Sequence, residues 1–352
     1  QCRNPYALDR TPSGSSSGSG SAVAASAIPV AIGSETDGSI VSPSAAASLV
    51  GIKPTIGLVS RSGIVPISHS QDTAGPMART GTDAAILLSA LTGVDPRDPA
   101  TADSKGKVEA DYTKFLDPNG LKGMRIGVPR KRFFGYSPLT DKIAEAALDV
   151  LKKQGAVLVD PAELETAGQF DDTETEVLLY EFKADLNQYL ADLASSPVRT
   201  LKELIDWNEK NASKELPYFG QELFLQAEAK GPLSDEAYKK ALDKNHRLAR
   251  KEGIDATLAK HKLDALVAPT QGPVWLIDLV NGDSAGGSST TPAAVAGYPS
   301  ITVPAGFAFG LPVGVSFFGA AWSEPTLIKI AYAFEQATKH RKPPRYLPTV
   351  EL

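Results

Sequence analysis

The sequence predicts an α/β fold, and three observations carry that reading. A strand-like run at 124–128 is followed by a helical stretch at about 140–154 and a second strand at 156–159, which together make a βαβ unit. Charge is uneven: residues 1–80 hold 9 charged side chains, residues 81–264 hold 58 and residues 265–335 hold 5. The chain is 352 residues long, 42% apolar and 22% charged, with 30 glycines and 26 prolines, a soluble, turn-rich composition long enough for one large α/β domain. Ionised side chains are expensive to bury. The two poorly charged blocks are therefore expected to supply the core of a single domain over 1–352. That core is read as 1–93 together with 265–335, and the charged region at about 160–262 as outer helices.

The first element is a Gly/Ser run at 13–21, whose composition alone is that of a linker. Its continuation argues otherwise. Ala22-Val23-Ala24-Ala25-Ser26-Ala27 is a small apolar helical stretch and 28–33 is an apolar strand-like run. A Gly/Ser loop opening a helix leaves backbone N–H groups uncovered, which suits an anion or an oxyanion. Thr82 is placed to cap a helix through 84–91 that Gly93 stops. Beyond the βαβ unit come helices at about 175–193 and 235–259, then strands at 263–267, 300–303 and 313–318. Leu327, Ile330, Ala331 and Phe334 form an i, i+3, i+4, i+7 helical face, and no repeat of fixed period is visible.

Several functions are excluded or disfavoured. A single cysteine, Cys2, gives neither an intrachain disulfide nor a Cys-rich zinc site. His69, His246, His261 and His340 lack any metal-ligand spacing, so no metal and no organic cofactor is expected. Net charge is −5 and the longest basic patch is the short 339–342 run, which argues against nucleic acid. No stretch is long and apolar enough to span a membrane, and neither compartment nor oligomeric state is legible. A P-loop fails because no lysine precedes Lys53, and a dinucleotide GxGxxG fails because no strand precedes the glycines. Gly14-Ser15-Ser16-Ser17-Gly18 fits the GxSxG elbow with Ser16 at its centre, but that motif needs a preceding strand and a later acid and histidine.

A second serine cluster, Gly33-Ser34-Glu35-Thr36-Asp37-Gly38-Ser39-Ile40, follows the apolar run. Together with 14–19, Gly51-Ile52-Lys53-Pro54-Thr55 and Ser70-Gln71-Asp72-Thr73-Ala74-Gly75-Pro76, it resembles the amidase signature family in order and spacing. The likeness continues through 263–270, 296–300 and 311–314, so it covers nearly the whole chain. Segments 35–41, 178–183, 219–223 and 321–325 are similar to the members that act on peptide C-terminal amides. Asp37 and Val41 stand where most members carry glycine and arginine.

The resemblance implies an α/β/α amidase signature fold with a large mixed β-sheet covered by helices. It also implies hydrolysis of a peptide amide substrate to carboxylate and ammonia by a Ser–cis-Ser–Lys triad. Ser39 falls at the nucleophile position and Ser15, after Gly14, at the cis-serine position. Backbone N–H groups of Thr36, Asp37, Gly38 and Ser39 would form the oxyanion hole, while Ser16 and Asp72 would brace the serine loops and Lys53 would be structural. The family's catalytic lysine lies upstream of the Gly/Ser loop, yet only fourteen residues precede Ser15. The sequence is thus expected to be part of a longer amidase that catalyses poorly alone, unless another chain supplies the lysine. A general amidase for small or aryl amides and a non-catalytic amide-binding module are the alternatives. Trp275, Tyr298 and Phe317 are candidate apolar pocket residues, with plain core roles equally open.

Overall fold

A computed structural model describes residues 1–351, which form an eight-stranded mixed sheet with helices on both faces. The strands are β1 (Val30–Glu35), β2 (Val50–Lys53), β3 (Thr73–Ala78), β4 (Arg125–Gly127), β5 (Val157–Val159), β6 (Ala265–Pro269), β7 (Ser300–Ala308) and β8 (Leu311–Phe318). Their order is β1-β3-β2-β7-β8-β6-β4-β5. β4 pairs in parallel with β5 and β6, and every other pairing is antiparallel. The expected α/β/α class with a large mixed sheet is what the chain forms.

Successive side chains of a strand point to opposite faces, and the two cores follow that period. Ala265 and Val267 of β6 and Phe317 of β8 join one cluster, whereas Leu266, Ala268 and Phe318 join the other. The first face carries α3 (Gly81–Leu91), α4 (Pro138–Lys153) and α12 (Glu324–Thr338), which contribute Leu88, Leu148, Leu151, Leu327, Ile330 and Phe334. The second receives α11 (Thr291–Ala296) and a π-helical stretch, Arg247–Ile254. That stretch joins α9 (Glu236–His246) to α10 (Asp255–His261).

The Gly/Ser run is not a tether. It opens α1 (Ser17–Ala24), whose Val23 and Ala24 are fully buried. The second serine cluster forms the turn between β1 and α2 (Val41–Ala46), and all six residues of α2 are buried. The predicted βαβ unit exists, with Ile126 opposite Leu158. Because α4 turns Ala144, Ala147, Leu148 and Leu151 inward, part of the charged middle also belongs to the main core. The outer helices are α5 (Asp171–Asp192), α6 (Leu201–Lys210), α7 (Ala212–Glu215) and α8 (Glu222–Glu228). Leu186, Leu190, Leu201, Ile205 and Ala227 give them a small cluster of their own.

Candidate active site

The site is built on the end of β1. Glu35, its last residue, is 2% exposed and folds its carboxylate back over the next turn. Gly38 N–H donates to Glu35 Oε1 at 2.8 Å, and Ile40 and Val41 N–H donate to Oε2 at 2.7 and 3.0 Å. Burial pushes the Glu35 carboxyl up, and the charge of Lys53 together with these N–H donors pulls it down; the balance stays above the ordinary value. Three donors on one carboxylate fix the turn that carries Ser39. Gly38 sits there at φ +81°, where a Cβ would meet Ser42 Oγ at 2.9 Å and strain the backbone.

This arrangement alters the expected oxyanion hole in one respect. Gly38 N–H is turned inward onto Glu35, which leaves the N–H groups of Thr36, Asp37 and Ser39 as the donors the turn has to offer. Thr36 is buried and held twice. Its hydroxyl donates to Asp72 Oδ1 at 2.6 Å, and its carbonyl accepts from Gln71 Nε2 at 3.2 Å. Asp72 Oδ2 accepts the N–H groups of Ile67 and Ser68, both at 2.8 Å, so its carboxylate links the Thr36 turn to the loop at 67–68.

The Gly/Ser loop meets this turn from the side. The Gly14–Ser15 peptide is cis, and Ser15 is exposed at the wall of a cleft of about 310 Å³ shared with Ser34, Thr36, Arg61, Asp72 and His69. Ser16 clamps the loop to β1: its hydroxyl donates to Ser34 O and accepts from Ser34 N–H, both at 3.2 Å. That pair of hydrogen bonds engages Ser16 and removes it as the centre of a nucleophile elbow. Ser16 N–H also donates to Ser39 O at 3.3 Å, joining the two serine loops through their backbones. The Ser15 and Ser39 hydroxyls make no hydrogen bond to each other among the described residues.

Two charged groups beside the site were not legible as such. Lys53 is fully buried, its amine donating to Tyr298 O at 2.8 Å. Burial lowers it to about 8 against the opposing charges of Glu35, Glu324 and Asp37. His69 Nδ1 lies 2.9 Å from Asp185 Oδ2 and Nε2 3.4 Å from Glu181 Oε1. These three are the one group of potential cation ligands found among the described residues. Glu181, however, already accepts Tyr238 O–H at 2.7 Å, Ser68 O–H at 2.5 Å and Ser70 N–H at 3.0 Å. The cluster is an imidazole held by carboxylates. Of the apolar candidates, Phe317 is 0% exposed in the core, Tyr298 donates to Asp255 Oδ2 at 2.9 Å, and Trp275 Nε1 donates to Asp283 Oδ1 at 2.7 Å.

The Amidase family profile matches residues 1–328. The chain belongs to the amidase signature family. A crystal structure of native peptide amidase from Stenotrophomonas maltophilia superposes with a TM-score of 0.93 at 52% identity, covering 98% of this chain and 69% of that one. An amidase family protein from Bacillus anthracis superposes with a TM-score of 0.85 at 38% identity, covering 97% of this chain and 64% of that one. A "probable amidase" of Arabidopsis thaliana is 43% identical over 99% of this chain and 64% of its own length. This amidase signature chain thus spans just under two thirds of the length of the Arabidopsis relative. Among its described residues no helix is long and apolar enough to cross a membrane.

Proposed function

We propose that this chain carries the nucleophile half of a peptide amidase, which hydrolyses the C-terminal carboxamide of peptides to a carboxylate and ammonia. The observation that carries the reading is the Glu35-braced turn, which presents Ser39 beside the Gly14–Ser15 loop with the Thr36, Asp37 and Ser39 N–H groups free. The likeness to peptide amidase supports the substrate class.

In this mechanism Ser39 Oγ attacks the carboxamide carbon as its proton passes to Ser15 and on to a base. The oxyanion accepts N–H donors of the turn, each worth about 3–4 kcal/mol of barrier. Collapse breaks the C–N bond, the relayed proton goes to the departing nitrogen, and ammonia leaves. Water then adds to the acyl ester on Ser39 and releases the carboxylate. The base is a lysine held neutral by burial, supplied from outside these 352 residues. Lys53 does not serve, because its amine is tied to Tyr298 O. The test is hydrolysis of a C-terminally amidated dipeptide, its free acid and acetamide by the chain assayed together with a segment that supplies the lysine, with and without Ser39→Ala. Ammonia release from the dipeptide amide that vanishes in the variant supports the reading; release unaffected by the variant removes Ser39 from the mechanism.

A further inference from the structure

We propose that Arg250, on the π-helical stretch, is a positioning residue for Ser39: it anchors one end of α11, whose other end holds the turn that carries the nucleophile. The consequence for catalysis rests on the amidase reading, whereas the anchoring itself does not.

The Ser39 turn is held from two sides. On one side Glu35 takes its N–H groups, and Gln71 Nε2, which donates to Thr36 O at 3.2 Å and to Glu174 Oε1 at 2.9 Å, fixes its entry. On the other side stands the start of α11. Thr291 O–H donates to Asp37 Oδ2 at 2.7 Å, and Thr290 packs so closely on Gly38 that a Cβ there would meet Thr290 Oγ1 at 3.2 Å. Both residues before Ser39 therefore rest on the start of this helix.

At six residues, α11 is too short to hold its place through its own hydrogen bonds, so its position is set by what grips it. Its last turn closes on Gly297 at φ +69°, with Gly297 N–H donating to Ala294 O and Tyr298 N–H to Ala293 O, both at 2.9 Å. The next three carbonyls are taken by other parts of the chain. Ala296 O accepts Arg250 Nε at 2.8 Å, Gly297 O accepts Ile56 N–H at 3.1 Å and Tyr298 O accepts Lys53 Nζ at 2.8 Å. Of the three, Arg250 alone grips the helix itself, at its last residue. Among the described residues its guanidinium makes this hydrogen bond and no ion pair within 4.0 Å. A partly buried cation without a carboxylate is a poor device for stability alone, and what this one holds is the end of α11. It does so from a stretch of i→i+5 hydrogen bonding, a widening of the helix that recurs at functional sites. Without that grip α11 shifts along its axis, and Thr291 carries Asp37 with it, so the Thr36, Asp37 and Ser39 N–H groups lose their aim.

The test uses this chain and four variants. Arg250→Gln sets an amide N–H as many bonds from Cα as Nε, without the charge; Arg250→Met removes the donor at similar length. Thr291→Val removes the hydroxyl at the other end of α11, and the fourth variant combines Arg250→Met with Thr291→Val. In spectra of the isotope-labelled chain, the Gly38 and Ser39 amide resonances should move in Arg250→Met as they do in Thr291→Val, and stay in Arg250→Gln. In the amidase assay, with the lysine-supplying segment present, kcat should fall about tenfold to a hundredfold in Arg250→Met at nearly unchanged KM and return in Arg250→Gln. The double variant should lose no more than the more damaged single variant, because both act along one path. Resonances and kcat that stay at parent values in Arg250→Met overturn the proposal, and so do losses that multiply in the double variant. If Arg250→Met does not fold, hydrogen exchange of the parent decides. The amides of Gly297, Tyr298 and Ser42, the last donating to Gly38 O at 2.7 Å, should open together with one urea dependence, and separate opening overturns the proposal. The expected amide shifts in a chain that hydrolyses no peptide amide overturn the amidase reading and leave the anchoring standing.

Discussion

One carboxylate decides the geometry of the Ser39 turn. Glu35 accepts three backbone N–H groups in a fully buried place, and each buried donor left without a partner costs about 1–3 kcal/mol. Glu35→Ala should therefore lower stability by about 3 kcal/mol or more, read from urea unfolding, and should abolish amide hydrolysis with Ser39 intact. Glu35→Gln should fall between, because its amide sets a donor against a donor. Ser15→Ala should reduce hydrolysis less than Ser39→Ala, which should cost several orders of magnitude, measured as ammonia released per chain. Ser39, Ser15 and Asp72 were singled out because the segments that hold them resemble those of the family. Glu35, Gln71 and Glu174 were not. Their roles depend on which N–H groups a folded turn turns inward and on a helix that arrives 103 residues after Gln71.

Helices and strands were legible where their periodicity was unbroken. The α4 and α12 stripes and the βαβ unit fall where the pattern places them. The cap of α3 moves from Thr82 to Thr80, whose hydroxyl accepts Asp83 N–H at 3.1 Å; both threonines sit within a turn of the start, and only the backbone decides between them. Strands β2 and β3 were missed for a different reason. β2 carries Gly51 and a buried lysine, and β3 carries Gly75-Pro76, which reads as a turn. Gly75 is required there, because a Cβ would meet Ile52 O at 2.0 Å. Helix α5 is tied to the loop before β3 by His69. Burial alone would lower His69, but the Asp185 hydrogen bond and the charges of Glu181 and Asp185 outweigh it and raise the imidazole above its ordinary value. The imidazole's share of the tie is therefore complete below about pH 6.5 and is lost as pH rises through the raised value, while Ser68 and Ser70 stay on Glu181. Limited proteolysis within residues 64–70 should accelerate above neutrality in the parent, and His69→Gln should cut fast at all pH values. A rate independent of pH in the parent would remove His69 from the tie.

At the scale of the whole molecule, β1 is both the strand that delivers the site and an edge of the sheet. Ile32 on it is 49% exposed, and Ile28, two residues before it, is 39% exposed. The outer backbone groups of β1 are taken by the Gly/Ser loop, Ser19 O–H donating to Ile32 O at 2.9 Å and Ser16 holding Ser34, so the exposed isoleucine side chains, not an open edge, are what a second copy would meet. Ile32→Lys should lower the chain's self-association in sedimentation velocity without changing its unfolding midpoint. An unchanged association state would place the contact elsewhere. The order of the parts along the chain has a further consequence during synthesis. The serine-bearing turn leaves the ribosome well before the strands and helices that close around it. Its partner Thr291 lies 254 residues beyond Asp37, and β2 pairs with β7 through Gly51 and Thr302. At a translation rate of roughly 5–20 residues per second, that interval is about 13–50 seconds. Throughout it Ser39 is present but unsupported, so the nascent chain carries its nucleophile in a latent form until the last third of the sequence has closed around it.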